Sequence, residues 1–174
     1  DVDTTINPLK KILLIDKSNI ECISKIYKLL LTKSLLDEAL ANINLILRID
    51  EDHYEAIRDK AYIYFLKNNF DKAKKYIDNI SKLEEKDFFA YNIKGLIYFK
   101  NSNFHEAKNY FEQAIKINSK YVDSYNNLGI CLLELEKLDE AYTVFKNAHK
   151  IESDNSKTIV NLGNVLSLQD KVLE

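Results

Sequence analysis

Three histidines and two cysteines are the side chains in this sequence best suited to hold a metal or attack a substrate, and their spacing suits neither task. His53, His105 and His149 stand far apart, and none is joined by another His or a Cys at metal-ligand spacing. His149 and Glu152 are three residues apart, but a histidine near the end of a helix is already accounted for by the helix dipole. Cys22 and Cys131 lie far apart among apolar neighbours, which reads as two buried free thiols in a reducing, cytoplasmic compartment. There is no glycine-rich phosphate loop and no serine in a nucleophile elbow, and the acids are dispersed rather than paired. No catalytic residue, metal ligand or cofactor is expected, so the chain reads as a non-enzyme.

The balance of charge narrows the partners. A net charge of −2 over 174 residues does not offer the clustered cations that phosphate backbones draw on. Lys72, Lys74 and Lys75 are interleaved with Asp71 and Asp78, the pattern of a solvated helix face, so nucleic acid is not an expected ligand. No apolar run approaches the roughly 18 residues of a membrane span. The glycosylation triplet Asn79-Ile80-Ser81 falls at the end of an expected helix and carries no weight.

What the residues do show is a period. Gly95, Gly129 and Gly163 are the only glycines and are spaced 34 apart, as are Ala39, Ala73, Ala107 and Ala141. Such a period marks a repeat array. Four full units follow, 20–53, 54–87, 88–121 and 122–155, flanked by a second helix of a preceding partial unit over 1–19 and a further first helix over 156–174. Within a unit, apolar residues recur at helical spacing on two stretches separated by polar turns such as Lys67-Asn68-Asn69 and Asn101-Ser102-Asn103. Carboxylates such as Asp37-Glu38 and Asp139-Glu140 then open the next helix, where they meet the positive end of its dipole. Each unit is a helical hairpin that cannot cover its own apolar face, so units stack and share a core. Gly129 and Ala141 are the expected close contact of the fourth hairpin, and Asn7-Pro8 the expected start of the first helix.

Tyr125, Leu128, Gly129, Leu132, Ala141, Phe145 and Ala148 fall on the aromatic, Leu, Gly, large, Ala, Phe, Ala pattern of the tetratricopeptide repeat, which this unit resembles. Tyr91, Gly95, Tyr98, Ala107, Phe111 and Ala114 repeat it; Ile57, Ala61, Tyr64, Ala73, Ile77 and Ile80 follow it more loosely, as do Ile23, Ile26, Leu30, Ala39, Ile43 and Ile46. The first unit carries Tyr27 at the glycine place, a departure from the normal packing of the two helices, and the family's usual proline is absent. The resemblance implies an all-α, right-handed superhelical solenoid whose first helices line a concave groove that binds proteins.

Carried onto this sequence, the resemblance places Arg58, Tyr62 and Phe65 of the second unit in that groove, with Phe89, Asn92, Leu96 and Phe99 of the third. Asn126, Asn127, Ile130 and Leu133 follow from the fourth, and Lys157 and Asn161 from the last helix. Tyr62, Phe65, Phe89, Leu96, Phe99, Ile130 and Leu133 would form an apolar stripe. Asn127 and Asn161 occupy equivalent places, similar to the asparagine ladder of the array in the O-linked N-acetylglucosamine transferase, though Asp59 and Ile93 interrupt it. The family's carboxylate clamp is not matched, because Asn92, Leu96 and Asn161 stand where Lys, Asn and Arg are wanted. The function expected is a protein-protein interaction scaffold that binds a peptide or helical segment. The alternative is a substrate-recruiting or regulatory array of a larger enzyme, such as a glycosyltransferase, from which this chain is an excised piece. End-to-end self-association through exposed terminal helices is a third expectation.

Overall fold

The computed structural model describes residues 2–78 and 87–173, with side chains described over 5–78 and 87–168. Ten α-helices and no strand are present among the described residues: α1 (Val2–Ile15), α2 (Ile20–Thr32), α3 (Leu36–Ile49), α4 (Tyr54–Leu66), α5 (Phe70–Asp78), α6 (Phe88–Lys100), α7 (Phe104–Ile117), α8 (Val122–Glu134), α9 (Leu138–Ile151) and α10 (Ser156–Leu173). The chain is an all-α repeat solenoid, divided into one compact unit over 1–81 and another over 82–174. Ile80 and the Asn79-Ile80-Ser81 triplet lie outside the described residues.

Local chemistry explains where the helices begin and turn. Asn19, His53, Asp87 and Asn155 each accept a hydrogen bond, through a side-chain oxygen or nitrogen, from the backbone N–H three residues on, at 2.9–3.3 Å. These are N-caps that satisfy donors a helix start leaves unpaired. His53 is therefore occupied as a cap. At the hairpin turns Ser34, Asn68, Ser102 and Glu136 have φ between 57° and 60°. The next residue's N–H reaches back over the helix end in each case: Leu35 to Leu30, Asn69 to Tyr64, Asn103 to Tyr98 and Lys137 to Leu132. This is the Schellman closure, here made without glycine. α1 begins at Val2 and not at Asn7-Pro8, so Pro8 lies inside it. Pro8 is exposed and has no N–H to offer the carbonyl one turn earlier.

In the first unit α2 packs on α3 and α4 on α5, with α1 against α2 and α3 against α4. Ile6, Ile23, Ile26, Tyr27, Leu30, Ile43, Ile46 and Ile63 make its core. In the second unit the hairpins are α6 with α7 and α8 with α9, and α10 packs on α9 and α8. Phe111, Leu128, Leu132, Phe145 and Val165 are central there.

The glycine contact includes a residue beyond the sequence expectation. A Cβ on Gly129 would stand 2.4 Å from the ring of Phe145, and one on Gly95 would stand 2.5 Å from Phe111, so the glycines make room for a phenylalanine. A close-packed interior requires this volume match. The same place and its partner sixteen residues on carry Ala61 with Ile77 in α4–α5, and Tyr27 with Ile43 in α2–α3, all fully buried. The Tyr27 hairpin forms because the smaller Ile43 leaves room for the ring and because its hydroxyl finds a partner.

Candidate functional site

The polar ties between successive first helices set what the inner surface can offer. In the second unit the Asn92 side-chain carbonyl accepts from Ser124 Oγ at 3.1 Å and from Asn127 Nδ2 at 3.0 Å. One period later the Asn126 carbonyl accepts from Thr158 Oγ1 at 3.1 Å and from Asn161 Nδ2 at 3.3 Å. Asn126 Nδ2 also donates to Thr158 Oγ1 at 2.9 Å. Asn92, Ser124, Asn126 and Thr158 are buried, as such bonds require of polar groups taken out of water. Asn92 and Asn126, expected to face a partner, are thus spent holding α6 to α8 and α8 to α10.

Above the Asn126 tie, α8 and α10 enclose a cleft of about 380 Å³ lined by Asp123, Asn126, Asn127, Ile130, Ser156, Lys157, Val160 and Asn161. It brings together five of the expected groove residues: Asn126 as floor, Asn127 and Asn161 as half-buried walls, and Ile130 and Lys157 at the open edge. Asn127 and Asn161 each commit one N–H to the tie, leaving a second N–H and the side-chain oxygen without a bond to the described residues. Ile130 and Val160, 37% and 60% exposed, supply apolar surface between them. Lys157 Nζ stands 3.5 Å from Asp123 Oδ1 on the rim, an exposed pair worth under about 1 kcal/mol.

Apart from buried Asn92, the other expected residues are half-buried. In α4, Arg58 Nε donates to Asp59 Oδ1 at 2.7 Å, and the Tyr62 and Phe65 rings stack with centroids 6.4 Å apart. Phe65 also meets Phe70, and Phe99 meets Phe104 at 5.3 Å. Leu96, Phe99 and Leu133 pack against the core of the second unit, and Phe89 is half-buried. Of the apolar stripe only Ile130 is exposed; the rest is partly consumed by packing.

Asp59 was legible only as a break in the asparagine ladder. It is in fact buried and accepts from the Tyr27 hydroxyl at 2.8 Å as well as from Arg58. Burial, reinforced by the Asp59 carboxylate, pushes the Tyr27 hydroxyl above its ordinary range. Ser124 and Thr158 were missed too, although their spacing, like that of Asn92 and Asn126, is the repeat period.

Nucleophilic chemistry finds no support in these surroundings. The Cys131 thiol donates to the Phe104 carbonyl at 3.1 Å and is pushed by burial up to about 11, so the reactive thiolate is suppressed at neutral pH. Cys22 is likewise buried and free. Among the described residues no group of three His, Cys, Asp or Glu could hold a metal ion, and no helix is long and apolar enough to cross a membrane.

Comparison with known proteins agrees with this architecture. Two family models, both described as tetratricopeptide repeat, match residues 88–121 and 110–143. No curated protein sequence matches the chain. Among solved structures, MamA is 24% identical, with 90% of this chain and 92% of that one covered and a TM-score of 0.73. YrrB, a TPR protein with an unusual peptide-binding site, is 20% identical over 93% and 84% of the two chains, at a TM-score of 0.70. The Cut9–Hcn1 complex matches 98% of this chain with 34% of its own, at 15% identity and a TM-score of 0.87.

Proposed function

Because residues 88–143 are tetratricopeptide repeats within an all-α repeat solenoid, we propose that this chain is a non-catalytic scaffold that binds a peptide or helical segment of a partner protein. The cleft between α8 and α10 is its binding surface. The observation that carries this reading is the pair of half-spent amides of Asn127 and Asn161, one repeat apart on either side of exposed Ile130 and Val160. A side-chain amide offers a donor and an acceptor together, which is what the backbone of an extended peptide presents in return. Apolar side chains of the peptide would cover Ile130 and Val160, and the Lys157–Asp123 rim would select against like charge. That YrrB, similar in fold, has a peptide-binding site supports the class of ligand without naming it. A cytoplasmic setting fits the two buried thiols.

The test is selection of binders from a displayed random-peptide library on the 174-residue chain, followed by titration of a selected peptide into labelled protein while backbone amide shifts are recorded. Shifts concentrated at α8 and α10, and at least a tenfold loss of affinity in Asn127→Ala/Asn161→Ala, are expected. Peptides that shift other helices, or bind the double variant unchanged, would remove this cleft from the function.

A further inference from the structure

Three repeat positions carry two tyrosines and a lysine in two of the hairpins and lose all three in another. In α4–α5, Tyr64 and Tyr76 stack with ring centroids 5.4 Å apart, and Lys60 Nζ lies 4.6 Å from the Tyr76 centroid. One period later, in α6–α7, Tyr98 meets Tyr110 at 5.2 Å and Lys94 Nζ lies 5.0 Å from the Tyr110 centroid. A cation is attracted to the face of an aromatic ring, so each of these hairpins fills the place with a ring pair and a positive charge of its own. A further period on, in α8–α9, the equivalent residues are Leu128, Leu132 and Val144, smaller side chains without ring or charge. There a cleft of about 360 Å³ opens where α7, α8 and α9 meet, with Leu128 and Leu132 at its floor and Val144 beside them. Each of these three helices packs against a preceding and a following helix, so the cleft is a feature of the repeat sequence.

We propose that this cleft takes an aromatic side chain of a partner protein, with a lysine or arginine beside it in the partner's sequence. The chain's own hairpins define the occupant: the place that Tyr110 and Lys94 fill from within α6–α7 is filled from outside in α8–α9. The partner's ring lies over Leu128, Leu132 and Val144. Charge points to the same partner. Glu112 of α7 and Asp139 and Glu140 of α9 line the cleft, and no cation among the described residues does. Lys108 and Lys137 hold Glu112 and Glu140 at 2.7 Å, but pairs this exposed are weak, and two lysines against three carboxylates leave the rim negative. A lysine or arginine of the partner is drawn to that rim, whereas an acidic segment or a phosphate backbone is repelled. The cleft shares no lining residue with the one between α8 and α10, so it is a second surface, and its failure would leave the first reading standing.

The experiment is titration of the capped peptide Gly-Lys-Tyr-Lys-Gly into the labelled 174-residue chain while backbone amide shifts are recorded, beside two control peptides, one with leucine for the tyrosine and one with glutamate for both lysines. The tyrosine peptide is expected to give saturable shifts around Glu112, Leu128 and Val144, and each control to bind about tenfold more weakly. Val144→Tyr puts back from within the ring that the other hairpins carry, and should abolish these shifts while circular dichroism shows that helicity is kept. Asp139→Asn/Glu140→Gln changes two exposed side chains without adding bulk, and should narrow the gap between the lysine and glutamate peptides; it decides the matter should Val144→Tyr lose helix. An absence of shifts in these helices at millimolar tyrosine peptide, a leucine or glutamate peptide that binds as well, a folded Val144→Tyr chain that binds unchanged, or a gap that Asp139→Asn/Glu140→Gln leaves as wide would each overturn the proposal.

Discussion

Between α2 and α4 the polar tie is a charge: the Asp59 carboxylate, buried, holds the Tyr27 hydroxyl from one hairpin and the Arg58 guanidinium from its own helix. From α6 through α10 the tie is neutral, an asparagine carbonyl that accepts from a hydroxyl and an amide of the next first helix. The two units diverge at the glycine place of the repeat. Tyr27 stands where Gly95 and Gly129 stand, and its ring carries a hydroxyl toward α4. The glycines instead give that space to Phe111 and Phe145, which have no polar atom to offer. Asp59 and Asn127 are themselves equivalent residues, two periods apart. The repeat thus conserves a place for a tie while the residue at the glycine place decides whether a carboxylate there can be satisfied.

The comparison breaks most sharply at Asp59. Asp59→Ala leaves Arg58, whose side chain is 13% exposed, without its carboxylate and the Tyr27 hydroxyl without its acceptor. Removing one partner from a buried charge pair costs about 3–5 kcal/mol. Asn92→Ala, its neutral counterpart, strands the Ser124 hydroxyl and one Asn127 N–H for about 1–3 kcal/mol. Urea unfolding of the two variants, followed by circular dichroism, is expected to show the larger loss in Asp59→Ala. Equal losses would mean that the charge adds nothing to the tie.

The period was readable because it rests on landmarks that chance seldom supplies: glycines and alanines at one interval, with Gly95 and Gly129 each set against a phenylalanine ring that leaves no room for a Cβ. Helix pairing and turns followed, since Asn and Ser at the hairpin turns compete for backbone bonds in any context. The ties were not readable. Asn, Ser and Thr are as common on solvated helix faces as in buried networks, and only the structure separates buried Asn126 from half-buried Asn127 beside it. The glycine's nearest neighbour was not readable for another reason. Ala141 and Phe145 lie on one face of α9, and the sequence carries no measure of which of them comes nearest to Gly129. Tyr27 was read as a defect because its compensation is distributed over Ile43 and Asp59, neither adjacent to it in sequence.

The glycine landmarks test that packing within one unit. Gly129→Ala drives a Cβ to 2.4 Å from the buried Phe145 ring, an overpacking expected to cost about 1–3 kcal/mol. Gly163→Ala meets nothing within 4 Å, and in dilute solution it is expected to gain about 0.8–1 kcal/mol by removing a glycine from a helix interior. Thermal melts should therefore move in opposite directions for the same substitution at equivalent places. A destabilised Gly163→Ala would show that its notch is already filled.

Alkaline pH sharpens the contrast between the units with smaller changes. The buried Cys131 thiol is raised from its ordinary 9.0 to about 11, so folding favours its neutral form. Its contribution is complete below about pH 9, where folded and unfolded chains both hold the proton, and it is lost as pH climbs toward 11, where the unfolded chain releases it first. The Tyr27 hydroxyl is also raised, by burial and then by Asp59, from an ordinary 10.0, so the same loss in the first unit begins a step later. Stability measured by urea unfolding should start to fall near pH 9, and Cys131→Ala should flatten that first decline while leaving the later one in place. Tyr27→Phe should do the reverse, sparing the first decline and easing the fall above pH 10. If both substitutions altered the same stretch of the curve, the two buried groups would be reporting one cooperative opening and not the separate electrostatics of two units.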